Sequence, residues 1–172
     1  MQTENKPLTF NTSYGLQIDV HQVVREIVRF MRHKPKAEYK IIIGSDSLYL
    51  EDKSADFVTA IVVHRVGNGG RYFYRRAKMG KFYNLHDRIV QEVLLSLDVA
   101  NVFITKMKEV TKQAAEEGIL MKWSFEIHVD VGEQGPTKAL IQEVVGMVRA
   151  HNFEPKTKPE SYAASKVADK YV

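Results

Sequence analysis

The sequence predicts an α/β fold in which a five-stranded mixed sheet is flanked by helices, with an extra helix before it. Three consecutive β-branched residues at positions 41–43 are typical of a strand buried on both faces of a central sheet. The Gly-rich run at positions 67–70 separates two further strand-like segments, as a hairpin turn does. Segments of helical periodicity separate the later strands, which is the pattern of crossover connections.

The composition suits one soluble domain. We predict that it covers residues 1–172 and includes an N-terminal extension and helix over residues 1–36. The apolar content of 44% is ordinary, and the formal net charge of +4 permits a polyanionic partner without demanding one. The absence of cysteine excludes disulfides and cysteine-bound zinc. Residues 1–17 form a polar leader without an apolar signal region, and no run approaches the length of a membrane span. These features predict a cytoplasmic protein with no membrane partner.

The elements follow from the spacing of the apolar residues. The first helix is predicted over residues 18–31, with Asp19 suited to cap it. Asn84 is suited to cap a long helix that Gly118 ends. The predicted strands cover residues 39–46, 57–66, 71–77, 123–130 and 153–157, and the later helices cover 85–117, 137–150 and 159–169. The first three strands form an antiparallel meander, and the fourth is predicted to be a parallel neighbour of the first.

Acidic residues recur where this topology brings chain segments together. Asp46 and Asp130 end the first and fourth predicted strands, so their carboxylates would lie side by side at the edge where open α/β sheets bind ligands. Glu92 lies within the apolar stripe of the long helix and is predicted to face the sheet, and Asp169 lies near the end of the last helix. Carboxylates that converge repel one another, and a hard divalent cation relieves that repulsion.

The element order, together with Asp46, Glu92, Asp130 and Asp169, resembles the ribonuclease H-like superfamily. More narrowly, the chain resembles the YkuK-type family over nearly its whole length from about Phe10. The segments that carry this resemblance are 39–47 (YKIIIGSDS), 57–67 (FVTAIVVHRVG), 127–132 (IHVDVG), 158–165 (KPESYAAS) and 168–170 (ADK).

The resemblance implies a nuclease that depends on divalent metal ions. It implies that Asp46, Glu92, Asp130 and Asp169 bind two Mg²⁺ or Mn²⁺ ions and hydrolyse phosphodiester bonds by a two-metal-ion mechanism. Our hypothesis for the substrate is RNA or an RNA-containing duplex. Asp46 would bridge the ions, Glu92 and Asp130 would complete one site, and Asp169 would complete the other. The implied partner is therefore nucleic acid. The YkuK-type family is largely uncharacterised, so the resemblance implies a chemistry rather than a known substrate.

Several alternatives stay open at this point. His128 shares a strand face with Asp130 and is a candidate catalytic residue, the alternative being a hydrogen-bonded histidine near the core. Lys156, Lys158 and Lys166 lie near the last acid, Asp169, and would either contact backbone phosphates or balance charge. The whole chain could instead be a non-catalytic module that binds nucleic acid or protein and retains the fold. The sequence does not set an oligomeric state.

Overall fold

A seven-stranded mixed sheet forms the centre of the protein in a computed structural model that describes residues 7–161 and 166–167. The strands are β1 (Thr9–Thr12), β2 (Gln17–Asp19), β3 (Glu38–Tyr49), β4 (Ala55–Arg65), β5 (Gly70–Met79), β6 (Lys122–His128) and β7 (Pro155–Lys156). The α-helices are α1 (Val20–Arg32), α2 (Leu85–Glu116) and α3 (Ile141–Ala150), the last of which follows a 3₁₀ turn at Lys138–Leu140. The strand order is β2-β1-β5-β4-β3-β6-β7. The predicted α/β class, with a mixed sheet flanked by helices, is confirmed.

The prediction of five strands and a loose leader is wrong at the N-terminus. β1 and β2 form an antiparallel hairpin within the polar leader, and β1 also pairs with β5, so the hairpin extends the sheet. Phe10 is fully buried and joins the hairpin to the main core. Strands of 4 and 3 residues are too short for an alternating pattern to be recognised in the sequence.

The central strand β3 confirms the interpretation of the three isoleucines. β3 pairs antiparallel with β4 and parallel with β6, as predicted for the first and fourth strands. Ile41 and Ile43 belong to the core beneath the helices, whereas Ile42 lies on the other face and lines an open cavity of about 460 Å³. The strand is therefore buried on both faces, which accounts for its unbroken apolar run.

The helices begin and end where the local sequence indicates. Asp19 and Gln22 form a reciprocal capping box at the start of α1. Asn84 Oδ1 accepts a hydrogen bond from the backbone N–H of Asp87 at the start of α2, and Gly118 follows its end with a φ of 87°. α2 contacts β3, β4 and β6 as well as α1 and α3, which accounts for its broad apolar surface. In the described part of the chain, no helix combines the length and apolar character needed to cross a bilayer.

Tyr39 joins the end of α1 to the sheet. Its ring is 2% exposed, and its hydroxyl lies 2.8 Å from the carbonyl oxygen of Lys34, to which it donates. The same hydroxyl accepts a hydrogen bond from Arg65 Nε at 3.2 Å, and the Arg65 guanidinium lies 4.2 Å from the centre of the Phe30 ring. These contacts hold the helix against the edge of β3 and β4.

We expect Tyr39→Phe to lower the free energy of unfolding by about 1–2 kcal/mol, because the substitution removes the hydrogen bond that the hydroxyl donates to the Lys34 carbonyl and the one that it accepts from Arg65 Nε. Chemical denaturation would measure the loss. Tyr14→Phe is the matched control, since Tyr14 is 78% exposed, and we expect it to change the stability by less than about 0.5 kcal/mol. Equal effects of the two substitutions would contradict the structural role of the Tyr39 hydroxyl.

Candidate active site

The carboxyl ends of β3 and β6 bring two of the predicted acids to the same edge of the sheet. Gly44 is the partner of His128 in the parallel ladder, and Asp46 and Asp130 each lie two residues further along the chain. β6 ends at His128, so Asp130 lies in the following loop rather than within a strand as predicted. Asp46 lies within β3, which runs on to Tyr49 rather than ending at Asp46 as predicted. Because parallel strands keep their register, Asp46 and Asp130 lie at the same level along the two strands.

The third predicted acid, Glu92, lies on α2 and faces the sheet as predicted. The residue is 3% exposed. Burial, together with the neighbouring carboxylates of Asp46 and Asp130, raises the pKa of Glu92 to about 8, while a hydrogen bond from Ser47 and the charge of Arg88 oppose the rise. Asp46 and Asp130 are thus close enough to influence Glu92, which holds its proton at neutral pH.

Ser47 and Arg88 connect Glu92 to β3. The Ser47 hydroxyl donates to Glu92 Oε1 at 2.5 Å. Arg88 donates to the Ser47 backbone carbonyl at 3.2 Å and to the Ser47 hydroxyl at 3.3 Å. The sequence interpretation missed Arg88 as a site residue. Its position four residues before Glu92 on the same helix face was the signal that could have identified it.

A second pair of contacts fixes the rotation of α2 over β3. Ser45 Oγ lies 2.8 Å from Ser96 Oγ and 2.8 Å from Thr59 Oγ1, and all three side chains are buried. Ser96 lies one helical turn after Glu92, and Ser45 lies two residues before Ser47 on the same strand face. Two matched contacts, one turn apart, therefore direct the Glu92 side chain toward the end of β3.

The two aspartates are held by different groups. Asp46 is half-buried, and its Oδ1 accepts a hydrogen bond from the Ser47 backbone N–H at 2.8 Å. Asp130 Oδ1 lies 3.0 Å from Lys158 Nζ, so Lys158 balances the charge of this acid. Gly132 allows that approach, because a Cβ atom at this position would lie 2.9 Å from Lys158 Cβ.

Residues 7–161, 166 and 167 contain no group of three Asp, Glu or His side chains that converge closely enough to hold a metal ion. Asp169 lies outside the described residues. Ligation of metal by these four acids therefore stays a prediction.

The chemistry of the donors nevertheless fits Mg²⁺ or Mn²⁺. Carboxylate oxygens are the ligands that these hard cations prefer. Glu92 is a buried carboxyl group whose proton a divalent cation would displace, since metal ligands must be deprotonated. Asp46, Glu92 and Asp130 are the described residues that would hold such an ion.

Comparison with known proteins identifies the family of this chain. A family model described as Ribonuclease H-like matches residues 22–172. The chain belongs to the ribonuclease H-like family. It is 29% identical over 167 residues to the uncharacterized protein YkuK of Bacillus subtilis (strain 168), and the alignment covers 95% of this chain and 96% of that protein. No solved structure gives a significant match. The resemblance to the YkuK-type family is confirmed.

His128 is almost completely buried in this ribonuclease H-like protein. Its side chain is 2% exposed, and its Nε2 lies 2.9 Å from Glu126 Oε2, which in turn pairs with Lys40. Burial lowers the pKa of His128, although Glu126 partly opposes that effect. Its Nδ1 is buried without a hydrogen-bond partner in the described part of the structure. A catalytic role for His128 stays a prediction.

We expect the stability of this ribonuclease H-like domain to fall as the pH rises from 4.5, the ordinary pKa of a glutamate, to about 8, the pKa of Glu92. Between these values the folded protein keeps a proton that the unfolded chain releases, so the free energy of unfolding decreases with pH. Glu92→Gln keeps the shape of the side chain and removes this titration. We expect the variant to gain, relative to the native chain, of the order of 4 kcal/mol across this interval.

Urea denaturation at pH 5 and at pH 8 would measure the difference. Glu116→Gln is the matched control, because Glu116 is an exposed glutamate on the same helix. We expect the control and the native chain to respond to pH in the same way. A Glu92→Gln variant whose stability parallels that of the native chain would contradict a buried, protonated Glu92.

Proposed function

We propose that this protein is a divalent-metal-dependent nuclease that hydrolyses phosphodiester bonds in RNA or an RNA-containing duplex by a two-metal-ion mechanism. One observation carries the proposal: Glu92 is a buried carboxyl group whose pKa is raised to about 8 by burial and by Asp46 and Asp130 at the carboxyl edge of β3 and β6. Proteins place such perturbed acids at functional sites more often than elsewhere. Membership of the ribonuclease H-like family supports nuclease chemistry at this edge.

The acids have distinct proposed roles. Asp46 would bridge two ions, Glu92 and Asp130 would complete one site, and Asp169, which lies outside the described residues, would complete the other. When bound, the ions would supply the activation of water and the stabilisation of the leaving oxygen. His128 is proposed to move a proton or contact substrate.

Residues around the acids lower the free-energy cost of binding a cation. The Ser47 hydroxyl and the Arg88 guanidinium both favour the charged form of Glu92, so they lower the cost of releasing its proton. Lys158 neutralises Asp130 through a contact of 3.0 Å and is 56% exposed. An exposed ammonium group can move into solvent at little cost, which makes Asp130 available as a ligand.

The second candidate function is a non-catalytic module that binds nucleic acid or protein. A specific observation favours it: the acids of the described chain do not converge into a metal-binding group. In this alternative, the pairing of Asp130 with Lys158 is permanent, and Glu92 stays protonated. The two functions differ in their response to divalent metal.

We expect the native protein to cleave labelled RNA in Mn²⁺ or Mg²⁺ but not in EDTA. Single-stranded RNA, duplex RNA and an RNA–DNA hybrid would be tested in parallel. We expect Asp46→Asn to lower the rate by at least about 100-fold without unfolding, because the loss of a ligand should exceed the loss of an outer-shell partner. Asp98→Asn, an exposed aspartate on α2, is the control and should retain full activity. Absence of metal-dependent cleavage of all three substrates would favour the binding module.

We also expect Mn²⁺ binding at pH 7 to release up to about one proton, because Glu92 is protonated there and must lose its proton to bind metal. Isothermal titration calorimetry in two buffers of different ionisation enthalpy would count the protons. Glu92→Gln should release fewer, and Glu116→Gln should match the native protein. An equal proton count for all three proteins would exclude Glu92 as a ligand.

A further inference from the structure

A small cavity opens at the carboxyl edge of the sheet, next to the candidate active site. Its volume is about 230 Å³, and it is lined by Tyr49, Tyr83, Asn84, Leu85 and Arg88. Arg88 links the cavity to the acids, since it donates to the Ser47 hydroxyl, which donates to Glu92. A molecule that contacts Arg88 in this cavity would therefore be separated from Glu92 by two side chains, Arg88 and Ser47.

Two exposed aromatic rings form the outer part of this cavity. Tyr83 is 71% exposed and Tyr49 is 47% exposed, although exposed aromatic rings give up burial energy that a folded domain could otherwise gain. Neither ring is needed for the main hydrophobic core, which does not include them. Their exposure beside a guanidinium group is typical of a surface that binds a flat ligand.

The segments that carry these rings are fixed to each other. The Tyr49 hydroxyl donates to the carbonyl oxygen of Phe82 at 3.0 Å, and the Phe82 backbone N–H donates to the carbonyl oxygen of Lys53 at 2.8 Å. Phe82 is buried against Phe57, with their ring centres 5.4 Å apart. The rings are therefore presented by ordered backbone, which lowers the entropic cost of binding a ligand.

Each ring is accompanied by a cation. The Arg88 guanidinium lies 5.8 Å from the centre of the Tyr49 ring, and Lys53 Nζ lies 5.1 Å from the centre of the Tyr83 ring. Asp87, the acid closest to them in sequence on this helix, is engaged by Asn84 and by His86. The charge at the cavity therefore suits an anion that carries a planar ring.

We propose that this cavity binds an unpaired base of a single-stranded nucleic acid. Tyr83 and Tyr49 would contact the ring of the base, and Arg88 and Lys53 would contact the phosphates on either side. Stacking on aromatic side chains beside basic groups is how proteins hold single strands. The volume is below the range of about 300–1,000 Å³ for pockets that enclose a whole ligand, which suits one ring rather than an entire nucleotide.

The inference rests on the proposed function, because it takes the acids as the place where the bound strand is cut. It also refines that function. A base can enter the cavity only when it is unpaired, so the nucleotide beside the cleaved bond would belong to a single strand or a frayed end. A continuous duplex would not fill the cavity.

The test measures binding without cleavage. A single-stranded RNA that carries 2-aminopurine would be titrated with the protein in EDTA, and the same probe would be tested in a fully paired duplex. We expect quenching of the probe in the single strand and not in the duplex. We expect Tyr83→Ala to bind the single strand about tenfold more weakly, and Tyr83→Phe to bind it almost as the native protein does, because the ring is kept.

Tyr14→Ala is the matched control. Tyr14 is also highly exposed, but it lies in the β1–β2 connection at one edge of the sheet and does not line the cavity, so its loss should leave binding unchanged. The proposal is overturned if the native protein does not quench the probe, if Tyr83→Ala binds as tightly as the native protein, or if Tyr14→Ala loses as much. A different result would assign the cavity to a protein partner. In that case the RNA probe is not quenched by the native protein, and an aromatic peptide competes with the RNA for binding.

The outcomes separate this inference from the proposed function. Binding that depends on Tyr83, in a protein that shows no metal-dependent cleavage, would overturn the nuclease and support the base site. Cleavage that depends on Asp46, with binding that does not depend on Tyr83, would support the nuclease and overturn the base site.

Discussion

The burial of the Glu92 carboxyl group against the end of β3 is the interaction on which the site depends. A carboxyl group this deep in the protein would lose most of its solvation, and it is retained with one short hydrogen bond from Ser47. The cost appears as a pKa near 8 rather than as an unpaired charge. The site is thus neutral at Glu92 until a cation or a change of pH removes the proton.

The position of Glu92 is itself a consequence of helix and strand geometry. Ser45 contacts Ser96, and Ser47 contacts Glu92, so steps of two residues along β3 match steps of four residues along α2. These polar contacts lie between the apolar core and the edge of the sheet. They fix the rotation of a helix of 32 residues, whose apolar surface alone would allow several rotations.

Much of the fold was predictable because its signals are local. The three isoleucines of β3, the caps at Asp19 and Asn84, and Gly118 each act through neighbouring residues. The hairpin of β1 and β2 was missed, since strands this short are stabilised by pairing with β5 rather than by their own pattern. The parallel pairing of β3 with β6 was predicted from topology rules and confirmed.

The sequence by itself determined which residue types are available at the site: an aspartate on each of two strand-like segments and a glutamate inside an apolar stripe. The tertiary structure alone decided their partners and their protonation. The contacts of Arg88 with Ser47 and of Lys158 with Asp130 join residues far apart in the chain, and the burial of Glu92 depends on the packing of α2 on β3. A pKa depends on distance and solvent exposure in three dimensions, which the order of residues does not specify.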